Sequence, residues 1–171
     1  DDHGNVPGRS FANSVIRSTA RLSYQQADRA LRGKPGELPG RVVGLLKDME
    51  QLARIIERRR IRNGMLKLDL PETELVMDKS GRVVDAAPAD DSYPHTIIEM
   101  FMVEANEAVA SLFDRFNIPF MRRIHPDPDE LSVTNLSRYV KVCGLKIPRK
   151  LDRAAIQNIL QSVRKTDLSF P

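Results

Sequence analysis

The chain has 171 residues, 41% of them hydrophobic, and its 27 Lys plus Arg outnumber 23 Asp plus Glu for a net charge of +4 and an isoelectric point near 9.4. That is enough apolar chain for a single compact domain with a core, and the modest positive charge admits a polyanionic partner without requiring one. The lone Cys143 excludes an intrachain disulfide, His3, His95 and His125 lack metal-ligand spacing, and no run approaches the roughly 18 apolar residues of a membrane span. Asp1-Asp2-His3-Gly4 has neither the basic start nor the apolar centre of a secretory leader, so a cytoplasmic protein with no membrane partner is expected.

Asp1 to Asn5 reads as a turn, and the β-branched and aromatic residues of Arg9 to Ser18 predict a strand entering a core. Ser23 followed by Gln26 is a capping-box pattern, which predicts a short helix from Tyr24 to Leu31 that stops at Gly33. Lys34 to Gly40, rich in proline and glycine, is a loop; Gly33-Lys34-Pro35-Gly36 is too short and proline-rich for a phosphate-binding loop. The longest helix is predicted from Arg41 to Arg62, with Val42, Leu45, Leu46, Met49, Leu52, Ala53 and Ile56 as its core-facing stripe. Its last turn carries Arg58, Arg59, Arg60 and Arg62. These either complement the negative end of the helix dipole, at roughly 0.3 to 1 kcal/mol each, or hold RNA phosphates.

Three strands are predicted next, Met65 to Leu70, Glu74 to Asp78 and Arg82 to Ala86, with Asp78-Lys79-Ser80-Gly81 as the hairpin turn between the last two. A helix follows from about Pro94 to Asn117. Ile98, Phe101, Ala105, Val109, Leu112 and Phe116 form its expected buried stripe, while Glu99 and Asn106 lie on another side and are free to meet a ligand. His95 is expected to precede the helix proper by one or two residues, placed to cap it or to touch a substrate. Pro119 leads into a strand through Arg123. In Asp127-Pro128-Asp129-Glu130, an N-cap, a proline at the first helical position and a glutamate at the third predict a helix on to Cys143 and Gly144. A final helix is predicted from Asp152 to Lys165. The fold class is therefore α/β or α+β, with mixed or antiparallel strands packed against several amphipathic helices. The acidic pairs Asp1-Asp2 and Asp90-Asp91 are too sparse for a two-metal site, and no serine, cysteine and histidine pattern for nucleophilic catalysis is present.

Five blocks, in a fixed order, carry more than composition does. They are Val15-Ile16-Arg17-Ser18-Thr19-Ala20-Arg21-Leu22-Ser23-Tyr24, Arg60-Ile61-Arg62-Asn63-Gly64, Leu68-Asp69-Leu70-Pro71-Glu72, the run from His95 to Ala110, and Arg123-Ile124-His125-Pro126-Asp127-Pro128. Over about residues 9 to 145 this series resembles the catalytic (RNB) domain of the ribonuclease II and ribonuclease R family of exoribonucleases.

The resemblance implies processive 3′ to 5′ hydrolysis of single-stranded RNA to nucleoside 5′-monophosphates with magnesium. It brings Tyr24 and Glu99 close to the RNA 3′ end, and Tyr24, Glu99, Arg21 and Arg60 are the residues expected to bind RNA. An aromatic ring stacks on any base and a carboxylate accepts a hydrogen bond from a ribose 2′-hydroxyl, so both residue types suit an RNA reader without sequence preference. Two positions depart from the pattern: Met100 stands where many members have a second glutamate, and Leu68 where some have a phenylalanine. In the family the metal-binding aspartates lie upstream of the first block and an S-P-I-R-R-Y segment downstream of the last. Residues 1 to 171 are therefore expected to be the middle-to-late part of an RNB domain, without flanking cold-shock or S1 domain, without catalytic or metal-binding residues of their own, monomeric, and inactive as a separate chain. The alternatives are a noncatalytic RNA-binding module and a protein-interaction domain.

Overall fold

A computed structural model describes residues 1–68, 70, 72–146 and 151–166, with side chains to residue 163 in the last helix. Five helices and one hairpin follow in chain order: α1 (Tyr24–Leu31), α2 (Gly40–Arg62), β1 (Thr73–Met77), β2 (Val83–Pro88), α3 (Tyr93–Arg115), α4 (Glu130–Val142) and α5 (Arg153–Thr166). The mixed class expected from sequence holds. The chain divides into two compact units, residues 1–60 with 90–120 and residues 61–89 with 121–171.

The first unit holds α1, nearly all of α2, and α3. Ser23 caps α1: its hydroxyl accepts from the Gln26 N–H while the Gln26 side chain accepts from the Ser23 N–H. Two donors that the first turn leaves without helical partners are thus satisfied. Ala27 and Ala30 are buried on α1, Val42, Ala53 and Ile56 on α2, and Ile97 and Met100 on α3. Small alanines on the buried side of α1 allow its approach to α3, and Met100 of α3 is fully buried.

Two expected stripes are corrected here. On α3 the buried side is Pro94, Ile97 and Met100, whereas Ile98, Val109 and Phe116 are exposed. Two apolar rows compete on this helix, and the row that meets α1 is one residue out of step with the row of regular spacing. On α2, Leu45 and Leu52 are likewise exposed. The expected strand over Arg9 to Ser18 is absent: the segment is irregular, with Val15 and Ile16 in solvent. Asp1 to Asn5 is a turn, closed by the Asp1 carboxylate accepting from the N–H groups of His3 and Asn5. Gly4 in this turn has φ +82°, and a Cβ there would lie 3.2 Å from side-chain atoms of Ile55 and Arg59. Glycine alone meets both demands.

In the second unit β1 and β2 pair antiparallel, Thr73 opposite Pro88 and Val76 opposite Asp85, with an irregularity between Val76 and Met77. Asp78 organises the turn by accepting from the N–H groups of Ser80 and Arg82, and Gly81 takes φ +79°. The third strand expected over Met65 to Leu70 is not formed in its described residues, and neither is the strand after Pro119. Asp69, within the expected strand and the third sequence block, and Pro71, in that block, lie outside the described residues. α4 begins later than expected: Asp129, not Asp127, is the cap, accepting from the Ser132 N–H at 2.7 Å, and Pro128 precedes the helix. Gln157 of α5 donates to the carbonyls of Ile61 and Met65, which ties α5 to the chain leaving α2.

Candidate nucleic-acid interface

The start of α3 gathers the polar residues of the first unit. Ser92 is the N-cap position, Pro94 occupies the first turn, and His95 falls in that turn rather than before it. From there His95 reaches Tyr24, the first residue of α1. The two rings stack with centroids 3.6 Å apart and planes inclined by 21°. Tyr24 remains 41% exposed, so the ring presents surface to solvent while the imidazole covers part of it.

Behind the imidazole lies Asp90. Its Oδ2 is 3.5 Å from His95 Nε2, and its Oδ1 accepts from the Ser92 N–H at 3.0 Å. Ser92, through its side chain first and its backbone N–H second, holds the Asp90 carboxyl below the usual carboxylate range, and His95 adds to this. Only the N–H meets full hydrogen-bond geometry. Asp90 Oδ2, Ser92 Oγ and His95 Nε2 are each shielded from solvent without a closed hydrogen bond among the described residues.

Glu99 lies one helical turn beyond His95 on the same side of α3, within the roughly 5–6 Å Cβ separation of an i, i+4 pair. Its carboxylate is exposed and makes no hydrogen bond or ion pair among the described residues; the same holds for Arg21, three residues before Tyr24, and for Asn106. The structure thus brings Tyr24 and Glu99 to one side of α3 through His95, a residue whose part the sequence leaves open. Met100, at the position where relatives of the pattern carry a second glutamate, points the other way into the core.

Arg60 is placed differently. Its Nη1 donates to Glu107 at 2.7 Å and to Glu104 at 3.4 Å. Arg59 Nη2 also donates to Glu104, while its Nη1 donates to the Gly4 carbonyl at 2.6 Å. These two arginines are neither solvated dipole partners nor open cations. They join α2 to α3 and hold the N-terminal turn. Nearby, the Tyr93 hydroxyl donates to Glu57 at 3.2 Å and the Arg54 guanidinium sits 4.0 Å from the centre of the Tyr93 ring. Burial, then the Glu57 carboxylate, push the Tyr93 hydroxyl up to about 12. Among the described residues no three His, Cys, Asp or Glu side chains come together as a metal site, and no helix is long and apolar enough to cross a membrane.

The RNB domain family matches residues 1–170. The chain belongs to the RNB domain family. Ribonuclease R of Aquifex aeolicus is 38% identical over 152 residues, covering 87% of this chain and 21% of that protein. Ribonuclease R of Thermotoga maritima is 31% identical over 169 residues, covering 96% of this chain and 24% of the relative. This RNB chain therefore spans between a fifth and a quarter of the length of these curated relatives. Among solved structures, Mycoplasma genitalium RNase R in complex with ribose-methylated single-stranded RNA superposes with a TM-score of 0.76 at 27% identity, over 84% of this chain and 23% of that one. The same enzyme in complex with double-stranded RNA gives 0.77 at 27% identity, over 85% and 27%.

Proposed function

We propose that this RNB chain is a portion of a processive 3′ to 5′ exoribonuclease that hydrolyses single-stranded RNA to nucleoside 5′-monophosphates, and that its own share is to hold the RNA 3′ end. The observation that carries this reading is the half-exposed Tyr24 ring stacked on His95, one helical turn from the exposed Glu99 carboxylate on α3. The ring stacks on a base of any identity, Glu99 accepts from a ribose 2′-hydroxyl, and Arg21 supplies a cation for a phosphate. The solved RNA complexes of Mycoplasma genitalium RNase R support the polymer class. Arg60 is the fourth residue of this set, and its guanidinium donates to Glu104 and Glu107.

RNB-type nucleases depend on a divalent metal, and magnesium is the ion proposed for the whole enzyme. The described residues do not fit such an ion, because they offer no cluster of three ligand side chains. No hydrolytic step is therefore assigned to them. The same observation favours a second reading for the separate chain, a noncatalytic RNA-binding module.

Filter binding of oligo(A) RNA at two salt concentrations tests the reading. Tyr24→Ala should weaken retention about tenfold at both salts, in line with about 1 to 3 kcal/mol per stacked base. Arg21→Ala should lower the salt slope by about one. Retention that responds neither to these substitutions nor to salt overturns the RNA reading and leaves a protein-interaction domain.

A further inference from the structure

We propose that His95 is the positioning residue for Tyr24: lying flat against the tyrosine ring, with Asp90 facing its Nε2, it sets the orientation in which the remaining face of that ring meets an RNA base. This rests on the RNA reading above and adds a residue to it.

Two observations point the same way. A tyrosine at the first residue of a helix is held by its own backbone at one end only, and its ring has two rotatable torsions. Here the ring is not left to rotate, because the imidazole of His95 covers it at 3.6 Å and nearly parallel. The imidazole in turn has a carboxylate beside it. Its Nε2 faces Asp90 Oδ2 at 3.5 Å, and Asp90 is held by the Ser92 N–H at the cap of the same helix. A ring oriented in this way favours binding, because a side chain ordered before binding does not lose that freedom when the ligand arrives.

The arrangement makes a stack of imidazole, phenol ring and incoming base. His95 acts through Tyr24 and does not itself meet the RNA. That distinguishes it from an independent contact: its removal should matter only while Tyr24 is present.

The test uses Tyr24→Ala, His95→Ala, the double variant, His95→Phe and Asp90→Asn, with two readouts. The first is free of RNA: the ring-proton resonances of Tyr24, shifted by the stacked imidazole. They should move toward free-tyrosine positions in His95→Ala, and remain displaced in His95→Phe, which keeps an aromatic face but not the Asp90 contact. The second is equilibrium binding of oligo(A) carrying 2-aminopurine at its 3′ end. His95→Ala should weaken binding about fivefold, as expected for loss of one aromatic pair. His95→Phe should recover most of it, Asp90→Asn should fall between, and the double variant should match Tyr24→Ala alone. Unchanged Tyr24 resonances in His95→Ala, or an additive loss in the double variant, overturn the positioning role. If the resonances move as expected but Tyr24→Ala binds RNA as well as the unaltered chain, the positioning geometry stands and the RNA reading falls, taking the functional part of the proposal with it.

Discussion

Arg60 and Glu107 close a 2.7 Å ion pair between α2 and α3, and Arg59 reaches Glu104 one turn earlier on the same helix face. A cluster of four arginines at a helix end suggests a phosphate-binding surface. Two of its members instead brace one helix against another, and the side of α3 that faces RNA in the proposed function is positioned by that brace.

The two pairs should differ in weight. Arg59 and Glu104 are 14% and 16% exposed, whereas Glu107 is 47% exposed. Glu104→Ala leaves Arg59 partly buried without its carboxylate and should lower the unfolding free energy by about 2 kcal/mol. Glu107→Ala should cost about 0.5 kcal/mol or less. Urea unfolding followed by circular dichroism checks both, and equal losses would assign the brace wrongly.

Tyr93 predicts behaviour at high pH. Its hydroxyl is raised in the folded protein from 10.0 to about 12, first by burial and then by Glu57. A raised value means that the neutral phenol is favoured by the fold, so this contribution is complete below about pH 10 and lost as pH rises through about 12. Absorbance titration of the phenolates should show one late-titrating tyrosine, and Tyr93→Phe should remove that step and flatten the alkaline loss of stability.

α4 should respond at the acid end. Asp129 is lowered from 3.8, by the Ser132 side chain first and its backbone N–H second. Its contribution is present above the unfolded value and lost as pH falls through the lower folded one. Asp129→Asn keeps a capping oxygen that does not titrate, so helicity measured from about pH 5 to about pH 2 should fall less steeply than in the unaltered chain.

Ser23→Ala removes one half of the capping box and should lower stability by about 1 kcal/mol. Because Tyr24 follows the cap directly, the same variant should loosen the Tyr24–His95 stack, read as a shift of the Tyr24 ring resonances. Loss of stability without that shift would separate helix capping from ring placement.

The features legible in the sequence are local ones. The Ser23–Gln26 capping box and the Asp78–Gly81 turn are written within four residues each, and both form as read. Tyr24 and Glu99 are marked by sequence blocks of specific order. Partners distant in the chain are not so marked. The Arg59–Glu104 pair spans 45 residues, and the Tyr24–His95 stack joins two separate blocks; no periodicity encodes either. The Arg9 to Ser18 segment has strand composition but finds no pairing edge in the described structure, and composition alone does not make a strand. On α3 the regular row from Ile98 to Phe116 outweighs Ile97 and Met100 in the sequence, yet Ile97 and Met100 are the residues buried.

The proposed function gives these residues the holding of an RNA 3′ end and no part in cutting it. The decisive experiment incubates the purified chain with 5′-labelled oligo(A) and magnesium and resolves both bound RNA and released products. Retention of intact RNA, weakened by Tyr24→Ala and with no nucleoside 5′-monophosphate formed, is expected. Magnesium-dependent release of nucleoside 5′-monophosphate by this chain would contradict it.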